Sequence, residues 1–264
     1  MMPATFTEPE QIPMRLRTFL PAAILVLLAG ALPLASGHAA DQMKPADREA
    51  IEQVIHDYLI KHPEVVIEAL KAGQEAEKAQ EAAEAKAEIA KRRDEILNDP
   101  TSPVGGNPKG DVTIVEFFDY RCPYCKQMEP GLEALIKEDP NLRIVYKEFP
   151  ILGPDSLIAS RVALAAARQG NDKYLRFHAA MMSTKGQINE AVILKTAEDA
   201  GLDMTRIKAD MNSPEIEALI KKNYSLADGL DIKGTPALII GDTMTPGAVD
   251  VATLRKLVAD ARKS

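Results

Sequence analysis

Only two of the 264 residues are cysteine, Cys122 and Cys125, and two residues separate them. A disulfide staple gains most by closing a long loop, so a framework of structural bridges is excluded and this close pair would make a poor single one. Histidine is nearly as scarce. His38, His56, His62 and His178 show no ligand spacing near the cysteines, and a structural zinc needs about four ligands. Basic runs are missing too: 32 Lys and Arg residues are interspersed among 39 Asp and Glu, for a net charge of −7. No stripe of positive charge offers a nucleic-acid surface. There is no internal repeat, and no second apolar run follows the one near the N-terminus. What is left for the cysteine pair is redox chemistry or a soft metal ion.

The apolar run has the layout of a secretory signal. Arg15 and Arg17 come first, an apolar stretch runs from Phe19 to Leu34, and Ser36-Gly37-His38-Ala39-Ala40 supplies small residues suited to cleavage. Cleavage after Ala39 sets Gly37 and Ala39 at the two small-residue positions, so residues 1–39 are read as signal peptide. The Pro- and Glu-rich dozen residues ahead of it sit awkwardly, and Met14 is an alternative start to Met1. The competing reading is an uncleaved anchor, since the run approaches the roughly 20 residues of a bilayer span; Pro21, Gly30, Pro33 and the small-residue exit argue against it. Export with basic residues at the start points to the bacterial periplasm, an oxidising compartment where a redox pair has a use.

Residues 40–99 read as a helical stalk. Helix-forming composition runs from Asp47 to about Asn98, with one break at His62-Pro63, where proline can open a new helix. Ile51, Val54, Ile55, Tyr58 and Leu59 form an apolar face before the break. After it Val66, Ala69, Leu70, Gly73, Ala76, Ala79, Ala83, Ala87 and Ala90 continue a narrow stripe, mostly alanine. Such a helix cannot build a core of its own, so it packs on a partner chain or stands as a solvated spacer. The cluster Asn98-Asp99-Pro100-Thr101-Ser102-Pro103 places a domain boundary near residue 100.

In residues 100–264, Val112 to Phe118 reads as a buried strand, the cysteine motif Cys122-Pro123-Tyr124-Cys125 follows, and Met128, Leu132, Leu135 and Ile136 recur at helical spacing. A second strand from Leu142 to Phe149 completes a β-α-β order that favours parallel pairing. Residues 155–228 contain no good strand and read as short helices: Leu157–Arg168, Lys173–Met182, Glu190–Ala200 and Pro214–Ala227. Pro236 to Ile240 is a short strand, Gly241-Asp242 a turn, Met244 to Pro246 its hairpin partner, and Val251 to Val258 a closing helix. The expected class is α/β: a thioredoxin fold with an inserted helical subdomain, preceded by the stalk.

Exchange between thiols and disulfides needs a thiolate, and an ordinary cysteine is mostly protonated at neutral pH. At a helix N-terminus the free N–H groups and the positive end of the dipole favour the anion, and Cys122 stands there. Cys125, one turn on, can attack the sulfur of Cys122 to resolve a mixed disulfide. Glu116, inside an apolar strand, should be partly desolvated with a raised pKa and could relay protons to Cys125; the competing reading is an edge-strand side chain in solvent. Thr235-Pro236 could form a cis bond that keeps this backbone free for a substrate. The same two thiolates could instead hold copper(I).

The segment Glu116 to Cys125, a helical insertion, and Gly234-Thr235-Pro236 together resemble the DsbA-like family of thioredoxin-fold proteins, over residues 100–264. The stalk and Tyr58-Leu59-Ile60-Lys61-His62-Pro63-Glu64-Val65 look most like the suppressor-of-copper-sensitivity ScsC group, some of whose members are stalk-linked trimers that isomerise disulfides. The resemblance implies Cys122 as nucleophile, Cys125 as resolving thiol, Glu116 at the buried acidic position and Pro236 as a cis-proline facing Cys122. Thr235 is similar to the residue found there in isomerases, where DsbA oxidases commonly carry valine. Pro123-Tyr124 is not the Pro-His pair of strong oxidants. The expectation is a periplasmic disulfide isomerase or reductase, needing no cofactor. It would act on misoxidised or reduced exported proteins and be kept reduced by a membrane thiol-transfer partner of the DsbD or ScsB kind, as a homo-oligomer for which the resemblance implies a trimer. A DsbA-type oxidase and a copper(I)-binding protein for copper tolerance are the alternatives.

Overall fold

The computed structural model describes residues 44–263; the signal peptide and the choice of start codon fall outside them. The chain divides into two compact units between Pro63 and Glu64.

In the first unit, helix α1 (Pro45–Lys61) opens with a proline in its first turn, where the missing N–H is not needed. It closes with the His62 N–H on the Tyr58 carbonyl at 2.8 Å, the two rings 4.5 Å apart. No residue of α1 is buried. Ile51, Val54, Ile55, Tyr58 and Ile60 are all exposed.

The second unit takes in α2 (Pro63–Lys91), whose single buried residue is Ile89. An unbroken helix to Asn98 was expected; instead Arg92 interrupts it, and the short α3 (Arg93–Leu97) turns Ile96 into the same cluster as Ile89. Five strands follow: β1 (Val104–Gly106), β2 (Val112–Phe118), β3 (Leu142–Glu148), β4 (Ala237–Ile240) and β5 (Thr243–Pro246). Their order is β1-β3-β2-β4-β5, with β2 central, parallel to β3 and antiparallel to β4. Strand β1 escapes sequence reading because two of its three residues are glycine. Gly106 is required there, since its φ of +64° is left-handed and a Cβ would stand 2.5 Å from the Leu142 carbonyl oxygen.

Period-two alternation gives each face of the sheet its own core. Ile114, Phe118, Ile144, Tyr146 and Leu238 pack on one side with α4 (Pro123–Glu138), with α10 (Val251–Ala261) and with the helical insertion. Val115, Phe117, Val145 and Ile239 pack on the other with Ile89, Ile96 and Leu226. The insertion comprises α5 (Pro154–Ala167), α6 (Asn171–Ser183), α7 (Glu190–Asp199), α8 (Met204–Asp210) and α9 (Pro214–Gly229). Helix α8 is the one that sequence periodicity misses. It is two turns long and is set by its N-cap, Asp203, whose carboxylate accepts from the N–H groups of Thr205 and Arg206.

One charge is buried under this frame. Lys147 of β3 points to the Ile96 side of the sheet and meets the carboxylate of Asp99 at 3.2 Å, both side chains being all but inaccessible. Its ammonium also donates to Ser102 Oγ and to the Glu95 carbonyl, so every proton has an acceptor. Lys222 of α9 reaches the same Asp99 oxygen at 3.1 Å.

Candidate active site

The central strand β2 ends beneath a short loop that aims the next residues. Asp119 fastens it: one carboxylate oxygen accepts from the Arg121 N–H at 2.7 Å and the other from the Leu152 N–H at 2.9 Å. The Cys122 N–H donates to the Asp119 carbonyl at 3.0 Å. Cys122 thereby becomes the N-cap of α4, with Pro123 in the first turn. Both cysteines are free thiols and almost wholly buried, whereas Tyr124 between them is exposed.

The Thr235-Pro236 bond is cis, and Thr235 presents its carbonyl oxygen 3.2 Å from Cys122 Sγ. Beside it lies a cavity of about 300 Å³ lined by Ile232, Pro236, Met244 and Pro246 among others. The hydrogen bond from the Cys125 thiol lowers the Cys122 pKa most. Burial opposes it, and the groups at Thr235, Cys125 and Tyr124 add to it, leaving Cys122 at about 5. The helix N-terminus favours the same anion. That hydrogen bond and burial push Cys125 far up, so one thiol is ionised at neutral pH and its partner keeps its proton.

Glu116 has no exposed surface. It lies on the central strand, on the face that carries Ile114 and Phe118, and neither carboxylate oxygen has a hydrogen-bond partner. Burial pushes its pKa well up, and the charges of Glu129, Cys122 and Glu148 push it further. All five residues singled out from sequence are therefore placed: Cys122, Cys125, Thr235 and Pro236 meet at the mouth of α4, and Glu116 lies under the pair.

Sequence reasoning missed a second buried group. Glu148, at the end of β3, accepts hydrogen bonds from Ser160 Oγ at 2.7 Å, Tyr174 OH at 3.0 Å and Tyr120 OH at 3.1 Å. Burial still pushes its pKa to about 8. The Tyr120 oxygen is also 3.2 Å from His178 Nδ1, and His178 Nε2 is 3.5 Å from Glu129 Oε1. The spacing of Tyr174 and His178, four apart on α6, was the one available signal: it puts both on one helix face. Among the described residues no cluster of three or more His, Cys, Asp or Glu is arranged to hold a metal.

Residues 47–80 match the copper resistance protein ScsC N-terminal domain. A thioredoxin-like oxidoreductase from Silicibacter pomeroyi is 46% identical, with 65% of this chain and 98% of that one covered at a TM-score of 0.63. ScsC of Proteus mirabilis, crystallised in a transitional conformation, is 28% identical, with 84% of this chain and 100% of that one covered at a TM-score of 0.62. A curated relative, the Na(+)/H(+) antiporter NhaA 1 of Salinispora arenicola, is 28% identical over 160 residues, 60% of this chain and 24% of the antiporter. The chain thus spans about a quarter of that protein's length. The DSBA-like thioredoxin domain matches residues 113–259, more than half of the chain and the whole stretch from β2 into α10, and the chain belongs to that family.

Proposed function

We propose that this protein is a periplasmic thiol–disulfide oxidoreductase that works as a disulfide isomerase or reductase. The observation that carries the reading is the cysteine pair itself: two free thiols one turn apart at the mouth of α4, Cys122 at the N-cap and within hydrogen-bond distance of the Thr235 carbonyl at 3.2 Å, with the Cys122 pKa lowered to about 5 and that of Cys125 raised. In the first step the Cys122 thiolate attacks a substrate disulfide; one substrate sulfur leaves as thiolate and the other stays bonded to Cys122. In the second, Cys125 gives up its proton, attacks Cys122 Sγ and releases the second substrate thiol. Glu116 takes the proton. Thr235 and Pro236 line the approach, where a substrate backbone and the apolar cavity meet. Retention of the Cys125 proton supports isomerisation, since a slow second step leaves the mixed disulfide time to rearrange.

The domain division follows the same reading, with residues 1–39 as signal peptide, 40–99 as oligomerisation stalk and 100–264 as the redox domain. Misoxidised exported proteins are the substrates, and a membrane thiol-transfer protein of the DsbD or ScsB kind is the reductant. The match of residues 47–80 to a copper resistance domain favours one second reading, a copper(I) site on the same two thiolates. The deciding experiment is reactivation of a scrambled-disulfide enzyme by the mature chain in a redox buffer with a copper chelator. Reactivation is expected. Oxidation of a reduced substrate without reactivation would make the protein a DsbA-type oxidase, and no turnover at all would leave copper binding.

A further inference from the structure

Beside the cysteine pair runs a groove that the exchange steps do not use. It holds about 460 Å³ and is lined by Arg121, Pro123 and Lys126 at the mouth of α4 and by Thr184, Lys185 and Ile188 in the segment joining α6 to α7. Pro123 directly follows Cys122, so whatever fills the groove lies against the nucleophile's own turn. Three of the lining side chains are cations, and none of the described residues that line it is acidic. The cations have backbone partners rather than carboxylates among the described residues: Arg121 donates to the Leu152 carbonyl, and half-buried Lys126 donates to the Met181 and Thr184 carbonyls at the end of α6. Burial alone pulls the Lys126 pKa down, with no acidic neighbour to hold it up. Lys185 is exposed. Glu129 and Glu133 of α4 line the adjoining groove beyond Lys126, which leaves the Arg121 end wholly cationic.

We propose that this groove is a subsite for acidic protein substrates, taking the side-chain carboxylate of a residue close in sequence to the cysteine under attack. This rests on the thiol-exchange reading and names a class of substrate for it. Charge complementarity commits the groove to an anion. A partly desolvated ammonium without a counter-charge is costly, and an incoming carboxylate offsets that cost. Arg121 and Lys185 are the groups that meet the carboxylate, while Lys126 holds the end of α6 against α4 and adds its charge. The apolar cavity at Pro236 shares no lining residue with this groove, so the groove is a second and chemically different contact next to the same sulfur. The chain as a whole carries a net charge of −7. An acidic peptide is therefore repelled by the molecule at large, and a preference for it has to arise locally.

The test uses the full mature chain, reduced, and peptides whose single cysteine is joined in a disulfide to an aromatic thiol. Attack by Cys122 on the peptide sulfur releases the aromatic thiolate, whose absorbance gives a second-order rate. The peptides differ only in the residues two positions to either side of the cysteine, which are glutamate, glutamine or lysine. The wild type is expected to react with the glutamate peptide faster than with the glutamine one, on the order of three- to tenfold, and more slowly with the lysine one. Salt at about 0.5 M should screen the difference away. Lys185→Glu and Arg121→Gln should each bring the glutamate-to-glutamine ratio to one or below, and the ratio cancels any change in the reactivity of Cys122 itself. Lys109→Gln removes an exposed charge from the turn before β2, at the other end of that strand from Cys122, and should leave the ratio as it is. Should Arg121→Gln lose its fold with the Leu152 contact, Lys185→Glu on the exposed segment decides alone. A wild-type ratio near one, or a ratio that survives Lys185→Glu, overturns the proposal. No release from any of the peptides overturns the thiol-exchange reading, and the subsite with it.

Discussion

At the scale of single residues, what separates Cys122 from Cys125 is first of all one hydrogen bond, with the deeper burial of Cys125 adding to it. Both lie in the same helical turn, and the thiol of one stabilises the anion of the other. A hydrogen bond to a charged group contributes about 1.5–3 kcal/mol, which is tenfold or more in an ionisation constant. Cys125→Ala should therefore raise the pKa of Cys122. Its alkylation by iodoacetamide, which follows the thiolate, should fall about tenfold or more at pH 5 and little at pH 8. Both cysteines and Glu116 were legible because each violates its surroundings in the sequence: a lone close pair, and an acid in an apolar strand. Glu148 violates its strand too, but the hydroxyls that satisfy it come from Tyr120, Ser160 and Tyr174, between 12 and 28 residues away. No local pattern brings those together.

At the scale of elements, the strands and helices with strong periodicity were legible, and those held by a few tertiary contacts were not. Strand β1 and the break at Arg92 belong to the second kind: glycines leave the first without a side-chain signal, and the second exists to seat Ile96. The contact that fastens this region is the Asp99–Lys147 pair. Burial raises the Asp99 pKa, but the hydrogen bonds from Thr101 and the charge of Lys147 outweigh it and hold the carboxyl below its ordinary 3.8. A lowered folded-state pKa adds stability that is present above the unfolded value and lost as pH falls through the folded one. This contact should therefore hold at neutral pH and fail only in strong acid. Removing one partner of a buried pair costs about 3–5 kcal/mol, because the other charge is left uncompensated. Asp99→Asn should lose about that much in urea unfolding at pH 7, and Asp99→Asn combined with Lys147→Met should regain a good part of it.

At the scale of the whole molecule, the exposed apolar residues of α1 ask for a partner. Ile51, Val54, Ile55 and Tyr58 lie at helical spacing and none is buried, which suits a helix that packs on copies of itself. Val54→Glu with Ile55→Glu is expected to reduce the mass in analytical ultracentrifugation to that of one chain. If several sites on one oligomer raise the local concentration of a second thiol, reactivation of a scrambled substrate should fall more than simple reduction of a peptide disulfide does. An unchanged mass would mean that the helix is a solvated spacer. Lys147 and Glu148 bear on the whole molecule in a different way. They are neighbours on β3, so they point to opposite faces of the sheet, one onto Asp99 and the other into three hydroxyls. A slip of β3 by one residue against β2 would reverse them. It would set the Glu148 carboxylate against that of Asp99 and strand an ammonium among the tyrosines, so the two consecutive charges act as a proofreading device: a misregistered sheet could not pack either face without burying an uncompensated charge.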